Sequence, residues 1–124
     1  MIIVTIISVL ISGCCYFAPC HRGTDIIGKV KDEMGNPINK ATVSLFGISK
    51  SVGENGCFTF RAADAIPFTI TADALGYKPY SGDVKYGKYR VVIILHPVDS
   101  KFESRITWTE INDSEFESER KGCP

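Results

Sequence analysis

The chain has 124 residues, and its 14 basic side chains equal its 14 acidic ones, so the net charge is zero. Nucleic acids and acidic surfaces are bound through an excess of Lys and Arg, and the balance therefore argues against these partner classes. Without an amino-terminal leader the chain would retain about 110 residues, which is enough for one compact domain with a single core.

An uncharged apolar run, Ile2–Leu10, opens the chain and is followed by Ile11, Ser12, Gly13 and Cys14. The run is too short to span a bilayer, which takes roughly 20 residues, but it fits the apolar region of a signal peptide, which takes about 7 to 15. The four residues after it resemble the lipobox of bacterial lipoprotein precursors. The resemblance implies that residues 1–13 are removed as a signal peptide and that the Cys14 thiol receives a diacylglycerol, with palmitate or a similar acyl chain on the new amino terminus. The alternatives are a simple secretory signal cleaved nearby and a buried strand of a soluble protein.

Residues 14–23 then form a linker between the lipid and the folded part. At about 3.4 Å per residue, this linker keeps the domain within roughly 30 Å of the bilayer. The resemblance also implies a destination. In Gram-negative lipoproteins, a residue other than Asp directly after the lipidated cysteine directs the protein to the outer membrane, and here that residue is Cys15. We therefore expect the membrane as a partner through the lipid anchor, at the outer membrane of a bacterial cell envelope, on the side of the periplasm or of the cell surface.

Five cysteines agree with an oxidising compartment. If Cys14 carries lipid, the other four can form two disulfides in three connectivities. One connectivity closes a small loop in the linker and ties the end of the chain to the domain, whereas the others tie the linker to the body. The four candidate cysteines are Cys15, Cys20, Cys57 and Cys123. The segment with Cys15, Cys20 and His21 lacks the spacing of a zinc knuckle and no second ligand pair follows it, so we predict no metal site.

Short alternating segments separated by turns predict an all-β domain. Ala41, Val43 and Leu45 point to one side of their segment, as in a sheet with one buried face. Asn55 and Gly56 suit a hairpin turn with positive φ. Arg90–Leu95 is a continuous apolar run, which indicates burial on both faces or a central place in the sheet. The seven predicted strands are Ile26–Lys31, Ala41–Phe46, Lys50–Val52, Cys57–Arg61, Phe68–Ala74, Tyr80–Lys85 and Arg90–Leu95.

Two further segments complete this prediction. Gly76 ends the fifth strand, and Tyr77 after it is expected to be a corner residue, with its ring at the edge of the core and its hydroxyl bonded to backbone. Residues 99–124 form an acidic tail that we expect to be a solvated appendage. Within this tail, Ile106 and Trp108 alternate with polar residues and could add one edge strand, whereas the run beyond Asn112 has too little apolar content to fold alone.

Several ordered landmarks resemble the carboxypeptidase regulatory-like domain, a transthyretin-like β-sandwich, across residues 24–98. The resemblance implies a single seven-stranded transthyretin-like or immunoglobulin-like sandwich with an accessory or structural role, and it implies no cofactor. Fold alone does not fix activity. The landmarks are Ile27–Asp32, Gly35–Ile38, Ala41–Val43, Asn55–Phe58 and Ala74–Tyr77.

The hydroxyisourate hydrolases share the transthyretin fold, and their signature tests whether the chain is an enzyme. Lys29 stands where that family has a histidine before the first strand's Val, and Cys57 stands where it has a basic residue. The terminal Tyr-Arg-Gly-Ser motif survives only as Tyr89 and Arg90. His21 and His96 are the only histidines in the sequence, so few residues could serve as the general base of a catalytic triad. We therefore predict no catalysis and no catalytic residue.

The favoured function is a lipid-anchored envelope protein whose sandwich serves as a non-catalytic structural or interaction module. The alternative is a cell-surface module that binds carbohydrate or peptide through exposed aromatic rings, which stack on sugars, or through an exposed strand edge. The candidate contact residues for such a ligand are Tyr80, Tyr86, Tyr89 and Trp108. The competing explanation for these four aromatic residues is that their rings fill the core and its corners.

Overall fold

The computed structural model of the protein describes residues 23–45, 47–62 and 69–123. The predicted signal peptide, the lipidation site Cys14 and the linker cysteines Cys15 and Cys20 lie outside the described residues. The described residues form a β-sandwich of eight strands and one helix, so the all-β prediction is confirmed and the predicted number of seven strands is one too few.

The elements follow one another in this order along the chain. They are β1 (Thr24–Lys31), β2 (Thr42–Leu45), β3 (Ile48–Ser51), β4 (Cys57–Ala62), β5 (Thr69–Asp73), β6 (Tyr80–Asp83), β7 (Gly87–Ile94), β8 (Arg105–Glu110) and the helix α1 (Asp113–Arg120).

Two four-stranded sheets make up the sandwich. Sheet A has the order β4-β1-β7-β8, and sheet B has the order β3-β2-β5-β6. All neighbours pair antiparallel except β1 and β7, which run parallel. The apolar run at Arg90–Leu95 therefore lies in a central strand of sheet A, as predicted.

The main core lies between the sheets and is built by the strand alternation. In β2 the side chains of Val43 and Leu45 are buried while Thr42 and Ser44 are half-buried, as the alternation predicts. Aliphatic and aromatic side chains from both sheets interdigitate there, and the ring of Tyr77 packs against their edge. A hydrogen bond from the Tyr77 hydroxyl to the backbone stays a prediction. The largest fully buried members are Phe58, Ile26, Leu45, Ile70, Ile93, Leu95, Val30, Val43 and Val91.

The turn at Asn55 and Gly56 differs from its prediction. Gly56 does have a positive φ of 74°, and the Cys57 amide donates to the side-chain oxygen of Asn55 at 3.1 Å. However, β3 belongs to sheet B and β4 to sheet A, so the turn carries the chain across the sandwich and makes no hairpin. The physical reason is that β4 finds a longer partner in β1, with six paired residues from Lys29 to Thr24.

The segment from residue 99 onward folds as part of the domain, contrary to the expectation of a solvated appendage. β8 pairs with β7 over six residues and forms an edge of sheet A. The helix α1 then lies across the outer face of the same sheet, where Phe116 is fully buried. The run beyond Asn112 therefore folds against the sheet, which supplies the apolar surface that the segment itself lacks.

Candidate functional site

The outer face of sheet A carries a second, smaller core beneath α1. Phe116 points down from the helix onto Ile27 of β1, and Ile111 closes one side. The disulfide between Cys57 and Cys123 closes the other side, with a Cα–Cα distance of 5.5 Å. The sequence left three connectivities open. The observed pairing is the one that ties the end of the chain to the domain.

The sequence around α1 explains why a helix forms here. Asn112 is the N-cap, its side chain accepts a hydrogen bond from the Glu115 amide at 2.8 Å, and Glu115 in turn accepts from the Asn112 amide. This reciprocal capping satisfies two amides that the first turn would otherwise leave unpaired. Acidic residues in the first turn and Arg120 in the last also suit the helix dipole.

Carboxylates of α1 pair with cations on the sheet below. Lys88 contacts Asp113 at 3.0 Å and also Asp25 at 2.7 Å. Hydrogen bonds to these two carboxylates raise the pKa of Lys88. Arg61 contacts Glu117 at 3.5 Å, and both Arg61 and Lys88 lie 5.3 Å from the centre of the Phe116 ring. The helix is thus held by charge as well as by its buried ring.

Arg90 makes the best-formed of these pairs. Its Nε and Nη2 donate to the two carboxylate oxygens of Glu119 at 2.7 and 2.8 Å, a bidentate geometry. These hydrogen bonds lower the pKa of Glu119 and raise that of Arg90, with desolvation acting in the opposite direction on both. The pair fixes the carboxyl-terminal half of α1 over β7.

Beside this end of α1 the outer face opens into a cleft of about 460 Å³. Ile27, Lys29 and Lys31 of β1, together with Arg90 and Val92 of β7, form its floor. Its walls are the end of α1 and the turn before β4, where the side-chain amide of Asn55 donates to the Gly122 carbonyl at 3.5 Å. The volume lies within the range of roughly 300–1,000 Å³ of small-ligand and side-chain pockets.

Three cations line the uncovered half of this face. In register across the strands, Lys31 lies opposite Ile94 and Ile94 opposite Arg105, while Lys29 lies opposite Val92. None of the three cations is within ion-pair distance of a carboxylate in the described ranges. The uncovered half is therefore positively charged with an apolar floor.

The four predicted aromatic contact residues do not form an open platform in the structure. Tyr80, Tyr89 and Trp108 are half-buried and pack against the main core, and the rings of Tyr89 and Trp108 meet edge to face at 5.4 Å. Burial raises the pKa of Tyr80, and Asp83 adds to the shift. Tyr86 is the most exposed of the four. Their use as ligand contacts stays a prediction.

His96 is buried at the end of sheet A that lies farthest from Thr24. Its Nδ1 lies 3.0 Å from a carboxylate oxygen of Glu33, and its Nε2 is buried without a hydrogen-bond partner among the described residues. The backbone amide of the same residue donates to the Ser104 hydroxyl at 3.0 Å. The residue thus joins two loops.

Three loops at this same end each present exposed apolar side chains. Leu75 is fully exposed, Met34 is 81% exposed, and Val98 and Phe102 are 65% and 57% exposed. Two hydrogen bonds join the loops of Leu75 and Phe102: the Val98 amide donates to the Gly76 carbonyl at 3.1 Å, and Lys78 Nζ donates to the Phe102 carbonyl at 3.1 Å. The contact between Glu33 and His96 joins the loop of Met34 to them. We call this surface, defined by Met34, Leu75, Val98 and Phe102, the apolar tip.

Sequence reasoning missed both the cleft and the apolar tip. The cleft depends on α1, which crosses the face of β1 and β7 from a segment that is distant in sequence. Lys29 and Lys31 are two residues apart in β1 and so lie on one face, but this spacing does not show that a helix covers half of that face. Neither the described helix nor the rest of the described chain offers a segment long and apolar enough to cross a membrane as a helix. The described residues also gather no three His, Cys, Asp or Glu side chains around a space for a metal ion.

The proteins similar to this chain include one viral protein and one solved structure, each matched over a part of its length. A viral protein named structural protein 27, from the isolate Australia/Victoria, is 33% identical over 60 residues, which are 48% of this chain and 12% of that protein. A crystal structure from Bacteroides fragilis, of a protein of unknown function provisionally described as membrane-associated, has a TM-score of 0.45 and 19% identity and covers 63% of this chain and 29% of that one. The chain thus spans only a small part of each of these proteins.

The family comparison covers more of the chain. Residues 25–95 match the carboxypeptidase regulatory-like domain, from the first strand to the end of β7. This range contains the landmarks that the sequence analysis identified and seven of the eight described strands. The chain belongs to the carboxypeptidase regulatory-like domain family.

Proposed function

We propose that the protein is a lipid-anchored envelope protein whose β-sandwich is a non-catalytic interaction module. The family to which the chain belongs supports an accessory role, and the name of the viral relative, a structural protein, agrees with such a role. The anchor in this proposal is Cys14, in the outer membrane.

The apolar tip is the observation that carries the interaction role. Its four apolar side chains protrude from three loops, two of them joined by hydrogen bonds and the third joined to them by the contact between Glu33 and His96. Single exposed apolar residues are common on soluble proteins, whereas several on adjoining loops mark a contact surface. The partner that best covers such a surface is another protein, which can bury all four side chains at once.

The position of the tip supports an anchored molecule. Gly23 precedes β1 at one end of the sandwich, and the tip lies beyond the far ends of β1 and β7. A strand of eight residues is roughly 26 Å long. An anchor attached before Gly23 would therefore join the end of the sandwich opposite the apolar tip.

The polar chemistry of the described residues supports a role without catalysis. His96 is enclosed by Glu33 and the ring of Phe102, whose centre lies 5.7 Å from that of the imidazole. A general base must reach the proton that it removes, and a ring that is 5% exposed has no open side for a substrate. The histidine is better suited to holding the loops of the apolar tip.

Intact mass spectrometry of protein extracted from bacterial membranes tests the anchor. We expect a mature species that begins at Cys14 and carries the mass of a diacylglycerol and a further acyl chain. Cys14→Ala should lose the acyl mass and leave the membrane fraction, whereas the matched variant Cys15→Ala should keep both. An unmodified product from the unchanged chain would overturn the anchor.

Photo-crosslinking in intact cells tests the apolar tip. A photoreactive amino acid is placed at Leu75 and, in a separate control, at Ile48, which is 55% exposed at the opposite end of sheet B. We expect a discrete protein adduct from Leu75 that is lost when Met34 and Phe102 are changed to Ser. Equal adducts from both positions, or none from Leu75, would contradict the proposed interaction role of the tip.

The cleft on sheet A favours a peptide ligand as the second candidate function. Its apolar floor and cationic rim suit side chains of a polypeptide, whereas three of the four candidate aromatic residues are half-buried and offer a sugar little open ring surface. The sequence left carbohydrate and peptide open as ligand classes. We therefore propose that this site binds a peptide and not a carbohydrate.

A further inference from the structure

The outer face of sheet A is divided into a covered half and an uncovered half. The helix α1 lies over the half that contains Lys88 and Arg61. The other half, which contains Lys29 and Lys31, is open to solvent through the cleft. Both halves belong to the same sheet, so the contacts on the covered half indicate what the uncovered half can bind.

On the covered half the chain binds an acidic segment of its own. Each cation there contacts a carboxylate of α1: Lys88 contacts Asp113, Arg61 contacts Glu117, and Arg90 contacts Glu119. One apolar side chain of the helix, Phe116, is fully buried between these pairs. Recognition on this half thus combines several carboxylates with one inserted apolar residue.

The uncovered half has the same kinds of side chain, and its acidic neighbour is Glu119 at the border with α1, which already pairs with Arg90. Lys29 and Lys31 are two residues apart on one strand, roughly 6.6 Å, and Arg105 lies two strands away from Lys31, roughly 10 Å. The floor between them is apolar, with Val92 and Ile94. Alternate side chains of an extended peptide are also separated by about 6.8 Å, so carboxylates at alternate positions would match the two lysines.

We propose that this cleft binds an acidic polypeptide segment, with carboxylates on Lys29, Lys31 and Arg105 and one apolar side chain in the cleft beside Val92. The proposal rests on the proposed function, because it names the partner chemistry of an interaction module. We assign the segment to another chain, and the residues that directly precede β1, 14–23, contain no Asp or Glu.

Direct binding to the full chain in detergent tests the proposal. The probe is a fluorescein-labelled peptide that repeats Glu-Phe-Glu-Ser, and binding is followed by fluorescence anisotropy. We expect saturable binding that weakens at least tenfold in the double variant Lys29→Gln with Lys31→Gln. The matched control Lys85→Gln removes an exposed lysine near the start of β7 and should leave the affinity within twofold. A thermal unfolding curve for each variant confirms that it is folded.

Charge reversal separates specific pairing from general attraction. The double variant Lys29→Glu with Lys31→Glu should lose the acidic peptide and gain affinity for a peptide that repeats Lys-Phe-Lys-Ser. Unchanged affinity in the Gln variants, or binding of heparin as tight as that of the acidic peptide and equally dependent on the two lysines, would overturn the assignment to an acidic polypeptide. Neither result alters the mass at Cys14 or the Leu75 adduct, which test the proposed function separately.

Discussion

Gly28 lies where β1 passes directly beneath the side chains of its two neighbouring strands. A Cβ atom at this position would come within 2.5 Å of both the Phe58 ring and a methyl group of Val91. Real Cβ atoms do not approach carbon that closely, and both neighbours are fully buried side chains of the main core. The glycine is therefore required by packing, since no positive φ is involved.

We expect Gly28→Ala to lower the free energy of unfolding by about 1–3 kcal/mol, because the added methyl group overpacks the core. Urea denaturation followed by Trp108 fluorescence measures the change. Gly122→Ala is the matched control: its Cβ would meet only the Glu119 carbonyl, at 3.9 Å, so we expect a change within about 0.5 kcal/mol. Equal stability of the two variants would refute the packing argument.

The bidentate pair of Arg90 and Glu119 also acts at the scale of single residues. Arg90 lowers the pKa of the Glu119 carboxyl by hydrogen bonding, so folding favours the ionised form. A carboxyl group with a lower pKa in the folded state stabilises the fold at pH values above its unfolded pKa of about 4.3. This contribution is lost as the pH falls through the folded pKa.

Glu119→Gln should therefore lower the free energy of unfolding at pH 7 and make a smaller difference at pH 3. The side chains are 39% and 35% exposed, and solvent screening limits the expected loss at pH 7 to about 0.5–1 kcal/mol. Urea denaturation at both pH values checks this. Glu103→Gln, which removes an 84% exposed carboxylate near Lys78, should have no measurable effect at either pH. A loss that is the same at both pH values would speak against the ionised pair.

At the scale of elements, α1 depends on the sheet for its stability. A helix of eight residues is marginal alone in water, and this one buries Phe116 as its fully enclosed side chain. The disulfide from Cys57 to Cys123 spans 66 residues of sequence and would restrict the unfolded chain by about 4 kcal/mol in the chain-entropy description. Docking of the ring and covalent attachment therefore act together on the same short segment.

Phe116→Ala should release α1 from the sheet while the disulfide keeps the segment attached. Removal of a buried aromatic ring costs about 3–5 kcal/mol in protein cores. We expect a loss of that order in the free energy of unfolding and rapid hydrogen exchange of the α1 amides. Ser114→Ala changes an exposed position of the same helix and should leave exchange unchanged. Slow exchange of the α1 amides in the Phe116 variant would show that the ring is not what holds the helix.

The same element shows where sequence reasoning reaches its limit. The alternation in Ala41–Leu45 and the apolar run at Arg90–Leu95 predicted strands because period and composition are local properties. The acidic run after Asn112 was expected to be solvated because its own apolar content is low. Its fold depends on Ile27 and Cys57, which lie far away in the sequence, and only the tertiary structure brings them beneath Phe116.

For the whole molecule, the sandwich and its family could be predicted, whereas the surfaces could not. Landmarks such as Gly28 and the turn at Asn55 and Gly56 reflect close packing and positive φ, which leave a clear trace in the sequence. The apolar tip and the cleft arise from loops and strands that meet from separate parts of the chain. The spacing of residues in the sequence does not show which distant segments are in contact, so the residues of the cleft could not be predicted.

The place of β8 beside β7 has a practical consequence for expression. The family match ends at residue 95, yet β7 is flanked by β8 along six residues from Tyr89 to Ile94. A fragment cut at that boundary would expose the amide and carbonyl groups of β7 as an open edge beside a run of Val and Ile. Such an edge recruits strands from other copies and leads to aggregation. A soluble fragment should therefore extend through Cys123.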